Sequence, residues 1–137
     1  MAESVARMRL LYNILFPGFF LFSAPYYFWK LRRRGNWRKG FGQRFGSHDP
    51  SLKKDLVDKR VLWLHAVSVG EANICVSLVE SLQKELKDWV FVVSTTTTTG
   101  MAELQTKLPE NVHKIYYPVD FAPFVRRTLD AVSPSAI

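Results

Sequence analysis

From Val61 onward the chain alternates between two apolar spacings, and that alternation restricts its fold more than any other feature. Val61-Leu62-Trp63-Leu64 is a short unbroken apolar run with charges upstream, the mark of a buried strand. Ile74, Leu78, Leu82 and Leu86 then recur at every fourth residue with Cys75 and Val79 beside them, which predicts an amphipathic helix starting near Glu71. The pattern repeats. A strand over Val90–Ser94 leads to a short helix over Gly100–Lys107, then a strand over Lys114–Tyr117 and a helix over Pro123–Leu129. This βαβαβ order predicts an α/β fold with a Rossmann-like, doubly wound parallel sheet. In such sheets the functional loops lie beyond the carboxyl ends of the strands. Here they are Ala66–Gly70, Thr95–Gly100 and Pro118–Phe121. Ser133–Ile137 reads as a turn and the first step of a fourth strand. Doubly wound domains rarely close on three strands, so the 137 residues are expected to be part of something longer.

The segment before this pattern has a different character. Leu10 to Trp29 is twenty residues without a charge, about 30 Å as a helix, which is the thickness of one bilayer core. Asn13, Pro17, Gly18, Ser23 and Pro25 weaken a spanning helix, so a kinked helix lying in the interface competes with it. A buried helical hairpin of a larger protein is the alternative without a membrane. Tyr26, Tyr27, Trp29 and Trp37 beside Lys30, Arg32, Arg33 and Arg34 resemble an aromatic belt followed by a basic cluster at anionic headgroups. A cleaved signal peptide fits less well, because the basic residues follow the apolar core and no clear A-x-A site appears.

Charge divides along the same line. Residues 1–48 hold nine Lys/Arg and one acid, whereas 49–137 hold ten basic and eleven acidic residues. The basic excess therefore flanks the apolar segment, and no nucleic-acid partner is expected. The sequence divides into a membrane-anchor helix with a basic juxtamembrane segment, 1–48, and an α/β domain, 49–137. If the anchor spans, its larger positive flank places residues 30–137 in the cytoplasm. Cys75, the one cysteine, lies on the helical stripe and reads as a core thiol, with no internal disulfide possible.

Three features bear on chemistry. Glu71 falls in the first turn of a helix, where it is placed either to take a proton from a hydroxyl or simply to complement the helix dipole. Ala66-Val67-Ser68-Val69-Gly70 has the form of a nucleophile elbow, but a hydrolase triad needs a downstream histidine. His113 precedes both candidate acids, Asp120 and Asp130, and sits at a strand start, the wrong end of the sheet. Thr95 to Thr99 followed by Gly100 presents five hydroxyls that either hold a phosphate or sugar or only cap the helix. No G-x-G-x-x-G or P-loop occurs. His48, His65 and His113 lack metal-ligand spacing, so neither a metal nor a cofactor is expected.

Gly42-Gln43-Arg44-Phe45-Gly46, His65-Ala66-Val67-Ser68-Val69-Gly70-Glu71, Ser94-Thr95-Thr96-Thr97-Thr98-Thr99-Gly100 and Tyr117-Pro118-Val119-Asp120, in this order after a hydrophobic segment, resemble the N-terminal part of 3-deoxy-D-manno-octulosonic acid (Kdo) transferases. The resemblance implies a GT-B glycosyltransferase of lipopolysaccharide biosynthesis, with two Rossmann-like domains facing across a cleft. This chain would be a truncated acceptor-binding N-terminal domain, without the C-terminal domain that binds CMP-Kdo. It further implies Glu71 as the base that deprotonates a hydroxyl of the lipid A precursor, which attacks CMP-Kdo with inversion. Ser68, Gly70, Thr95, Thr96 and Arg44 are the expected acceptor contacts. No metal is implied, since CMP leaves without a diphosphate to chelate. The location implied is the cytoplasmic face of the bacterial inner membrane, and the chain alone is expected to be inactive. A non-catalytic, membrane-anchored α/β binding module is the competing expectation.

Overall fold

A computed structural model describes residues 2–33 and 38–137, with the side chains of 2–7, 9, 27, 28 and 30–33 excepted. The side chains of Tyr27, Lys30, Arg32, Arg33, Arg34 and Trp37, read above as facing headgroups, lie outside the described residues. Two compact units result, Met1–Lys39 and Gly40–Ile137.

The described residues of the first unit form one helix, α1 (Ala2–Arg33), which runs unbroken through Pro17 and Pro25. Its middle exposes Leu10, Leu11, Ile14, Leu15, Phe19, Leu21 and Phe22, positions that cover about half of the helix circumference, a broad face rather than a narrow stripe. Tyr12, Phe16 and Phe20 form a ladder at spacing four, with ring centroids 5.3 and 6.2 Å apart. Among the described residues no helix is long and apolar enough to cross a membrane. The prolines, glycine and polar residues that dilute the run account for this.

The second unit is a three-layer α/β fold. Its elements are α2 (Phe41–Arg44), α3 (Pro50–Leu56), β1 (Arg60–Ala66), α4 (Val69–Glu85), β2 (Trp89–Thr95), α5 (Thr98–Lys107), β3 (His113–Tyr116) and α6 (Ala122–Val132). The strands pair in parallel in the order β1-β2-β3, with Ala66 opposite Thr95 and Thr95 opposite Tyr116 at their carboxyl ends. On the free edge of β1, Leu62 bridges Ala136 in parallel. There Trp63 N–H donates to the Ala136 carbonyl at 2.9 Å and Ser135 N–H to the Val61 carbonyl at 2.8 Å. The expected fourth-strand step is therefore present.

Alternation along β1 builds two cores. Ala66 packs with Ala72, Cys75, Val76 and Val79 of α4, Leu104 of α5, and Phe91 and Val93 of β2. Val61 and Trp63 pack on the other face with Leu52 and Leu56 of α3, Val92, Ile115 and Val132 of α6. Cys75 is a buried thiol as expected. The apolar row of α4 corrects the sequence reading. Four residues turn a helix by 400°, so a row at spacing four advances about 40° per step. Ile74 is accordingly 67% exposed and Leu78 41% exposed, while Leu82 and Leu86 pack on the core.

The polar stretch before β1 also carries more structure than its composition suggests. Asp49 caps α3 by accepting a hydrogen bond from Ser51 N–H at 2.8 Å, with Pro50 in the first turn, a favoured start for a helix. Residues 40–48, expected with the basic flank, pack within the α/β unit. Gln43 Oε1 accepts the Tyr116 N–H at 2.8 Å on the outer edge of β3.

Candidate functional site

The connections β1–α4–β2 and β2–α5–β3 step the sheet one way, and α6 returns the chain to the far edge of β1. The direction of winding reverses beside β1, so the crevice such a sheet offers a ligand opens beyond the carboxyl end of this strand. The loop from Val67 to Gly70 occupies that end, and α4 begins within it.

Ser68 is the N-cap of α4. Its Oγ accepts the Glu71 N–H at 3.2 Å, and Glu71 Oε2 accepts the Val67 N–H at 2.8 Å. This is a reciprocal cap in which the carboxylate reaches one residue beyond the cap itself. One oxygen of Glu71 thus serves the helix start, and the side chain remains exposed at the crevice. Gly70 stands beside it. A Cβ there would meet nothing nearer than Ser68 Oγ at 3.9 Å, so the fold itself does not demand glycine, and the backbone is left open to close approach.

The threonine loop turns inward. Thr97 caps α5 by accepting the Gly100 N–H at 3.0 Å, Thr96 Oγ1 donates to the Val67 carbonyl at 3.3 Å, and Thr99 Oγ1 donates to Thr97 Oγ1 at 3.5 Å. Thr95 is fully buried, and its Oγ1 accepts the Thr97 N–H at 3.4 Å. The structure therefore places Thr95 underneath the loop, as its support, rather than at a surface where a ligand would meet it. Thr96 binds the second loop to the first.

Arg44 ends α2 at the carboxyl end of β3, two strands from β1, roughly 10 Å away across the sheet. Its carbonyl accepts the Val119 N–H at 2.8 Å, and its guanidinium lies 4.5 Å from the Tyr116 ring centroid. Burial pulls its pKa below the ordinary value, with Tyr116 opposing. Gly40 makes this hook possible: at φ 65° it takes the left-handed conformation, and a Cβ would stand 1.7 Å from Tyr116 Cδ2.

His65 was considered in the sequence only as a metal ligand, and it belongs to this end of the sheet. Its ring packs on Tyr117, centroids 4.0 Å apart, and its Nδ1 is 2.9 Å from Ser94 Oγ. Ser94 is fully buried, accepts the Trp63 Nε1–H at 2.8 Å and reaches the Leu64 carbonyl at 3.3 Å. Burial lowers the His65 pKa, while Ser94 and Glu71 oppose the shift. The available signal was the pairing of a polar residue in each of two adjacent buried strands, His65 opposite Ser94. Among the described residues no three metal-ligating side chains cluster.

Residues 39–137 match the family described as 3-Deoxy-D-manno-octulosonic-acid transferase (kdotransferase). A 3-deoxy-D-manno-octulosonic acid transferase of Chlamydia muridarum is 27% identical over 128 residues, covering 93% of this chain and 29% of that protein. The transferase of the same name from Chlamydophila psittaci is 26% identical over 144 residues, covering 96% and 31%. That of Rickettsia bellii is 33% identical over 85 residues, covering 61% and 20%. The chain thus spans about three-tenths of the length of the first two relatives. No solved structure gives a significant match.

Proposed function

The chain belongs to the 3-deoxy-D-manno-octulosonic-acid (Kdo) transferase family, and from that premise we propose that it forms the acceptor side of a Kdo-transfer site with Glu71 as the general base. The supporting observation is the Glu71 carboxylate itself, exposed at the crevice beyond β1 and steadied at one oxygen by the Val67 N–H. A carboxylate so held spends little entropy in presenting its other oxygen to a substrate hydroxyl.

The proposed donor is CMP-Kdo, held by a partner domain, and the proposed acceptor is a lipid A precursor. Glu71 takes the hydroxyl proton as the acceptor oxygen attacks the anomeric carbon of Kdo. The bond from that carbon to the CMP phosphate oxygen breaks, CMP leaves with the electron pair, and the configuration inverts. Ser68 fixes the helix start, Gly70 lets the acceptor approach the backbone, Thr96 holds the two loops in register, and Arg44 offers a cation to an acceptor phosphate. The broad exposed apolar face of α1 fits contact with the bilayer that carries such an acceptor, on its cytoplasmic face.

Transfer from CMP-Kdo to a lipid A precursor, assayed with Glu71→Gln in a chain carrying the donor-binding domain, tests the proposal. A loss of about 10²- to 10⁴-fold in rate is expected for a general base. Undiminished transfer removes Glu71 from the mechanism. The 137-residue chain by itself is expected to be inactive in the same assay.

A further inference from the structure

We infer that His65 is a second acceptor-contacting side chain, one that shares a hydrogen bond through Nε2 with a hydroxyl of the acceptor sugar beside Glu71. The inference rests on the Kdo-transfer reading of this crevice and adds a residue to it. The ring is fixed on two sides. Tyr117 stacks on its face at 4.0 Å, and Ser94 Oγ holds Nδ1 at 2.9 Å, so Nε2 points away from the buried serine. Among the described residues Nε2 has no hydrogen-bond partner, and the side chain is partly exposed.

Ser94 also determines what Nε2 presents. One lone pair of its oxygen is taken by Trp63 Nε1–H, and its single proton has two destinations, His65 Nδ1 at 2.9 Å and the Leu64 carbonyl at 3.3 Å. In the neutral ring either Ser94 donates to Nδ1, with the ring proton on Nε2, or Nδ1–H donates to Ser94 while the hydroxyl donates to the Leu64 carbonyl and Nε2 accepts. Should the ring become charged, the hydroxyl donates to Leu64 and accepts from Nδ1–H, and Nε2 is a donor. Nε2 is the outward hydrogen-bonding atom in every state, a sugar hydroxyl can answer it as donor or acceptor, and no buried group is orphaned by the change. Glu71 is the charged group that bears on the ring. Its negative charge disfavours a phosphate at the same place, so a neutral hydroxyl oxygen is the better partner.

The test is an NMR titration of the chain with the deacylated glucosamine disaccharide of lipid A, at millimolar concentration, in forms with and without its phosphates. A shift of the His65 Nε2 nitrogen resonance with both forms supports the inference. A shift only with the phosphorylated form overturns the hydroxyl assignment. Movement of the Val69–Glu71 amides with His65 unmoved overturns this inference and leaves the Kdo-transfer reading standing, whereas movement of neither overturns both. Two variants separate contact from mere structure. Asparagine places its amide where Nδ1 was, so His65→Asn keeps a partner for Ser94 and removes the outward hydrogen-bonding group. Glutamine reaches the Nε2 position. His65→Asn is expected to weaken disaccharide binding about tenfold, the scale of one hydrogen bond lost, with His65→Gln retaining most of it. Equal loss in both variants, in step with loss of thermal stability, would make His65 a structural residue only.

Discussion

The loops that open α4 and α5 are built on one plan and put it to opposite uses. In each, a hydroxyl residue caps the helix by accepting the backbone N–H three residues later: Ser68 from Glu71 at 3.2 Å and Thr97 from Gly100 at 3.0 Å. The occupants of that third position differ. Glu71 sends an exposed carboxylate to the crevice, and the glycine next to it has open space above. At Gly100 a Cβ would lie 2.6 Å from Thr95 Oγ1 and 2.8 Å from Thr97 Oγ1, so the second loop closes on itself. A hydroxyl-rich sequence therefore says little about ligands until the direction of each hydroxyl is known. The quieter loop, with one serine and one acid, is the better candidate for chemistry.

The comparison is open to test at several strengths. Its largest expected consequence is kinetic: Glu71→Gln should cost about 10² to 10⁴ in Kdo transfer, and Thr99→Ala in the companion loop should cost little, as measured by side-by-side transfer rates. Next in size is Gly100→Ala, which forces atoms together inside a closed loop and should destabilise the chain by about 1–3 kcal/mol in urea unfolding. A neutral result there would break the contrast. Thr97→Ala, which leaves the Gly100 N–H without its cap, should cost about 1 kcal/mol in the same measurement. The smallest effect belongs to Gly70→Ala. It should leave stability unchanged or raise it by about 0.5 kcal/mol through helix propensity, and weaken acceptor binding if the open space is used.

Acid sharpens a related difference. Burial lowers the pKa of His48, His65 and His113 from the ordinary 6.5, so each is neutral in the fold and takes its proton more readily when unfolded. Stability is then complete above about pH 6.5, falls as the pH drops from there to the lower folded values, and levels off once both states carry the proton. His48 is the least prepared for charge: its Nε2 meets Thr128 Oγ1 at 3.1 Å, and its buried Nδ1 has no partner among the described residues. His65, by contrast, has Ser94 Oγ to accept a hydrogen bond from Nδ1–H when the ring is charged. Urea unfolding across this range should show a shallower acid loss for His48→Gln than for His65→Gln.

Periodicity alone located β1, β2, β3 and the helices between them to within a residue or two at most ends, because local spacing dictates those elements. It placed the buried stripe of α4 too far toward Ile74, since a row at spacing four drifts around the helix. It passed over α3, although Asp49-Pro50 carried the signal, because the segment is charged. Glu71, Ser68 and Gly70 were legible as a strand-to-helix junction. The inward turn of Thr95 was not, nor was the hook that carries Arg44. Gln43 and Tyr116 are 73 residues apart, and nothing in the local pattern of either announces the other.

That same glutamine gives the sheet a direction of growth. A parallel strand at the edge of β3 would offer a backbone carbonyl to the Tyr116 N–H, and the Gln43 side chain already stands there as its substitute. The edge is terminated by an amide that cannot itself be extended, so a stray strand from a second copy finds no free donor at that residue. On the opposite edge β1 has its N–H at Trp63 answered by backbone, from Ala136. At Tyr116 one border of the sheet is closed by a side chain, and at Trp63 the other is joined by chain.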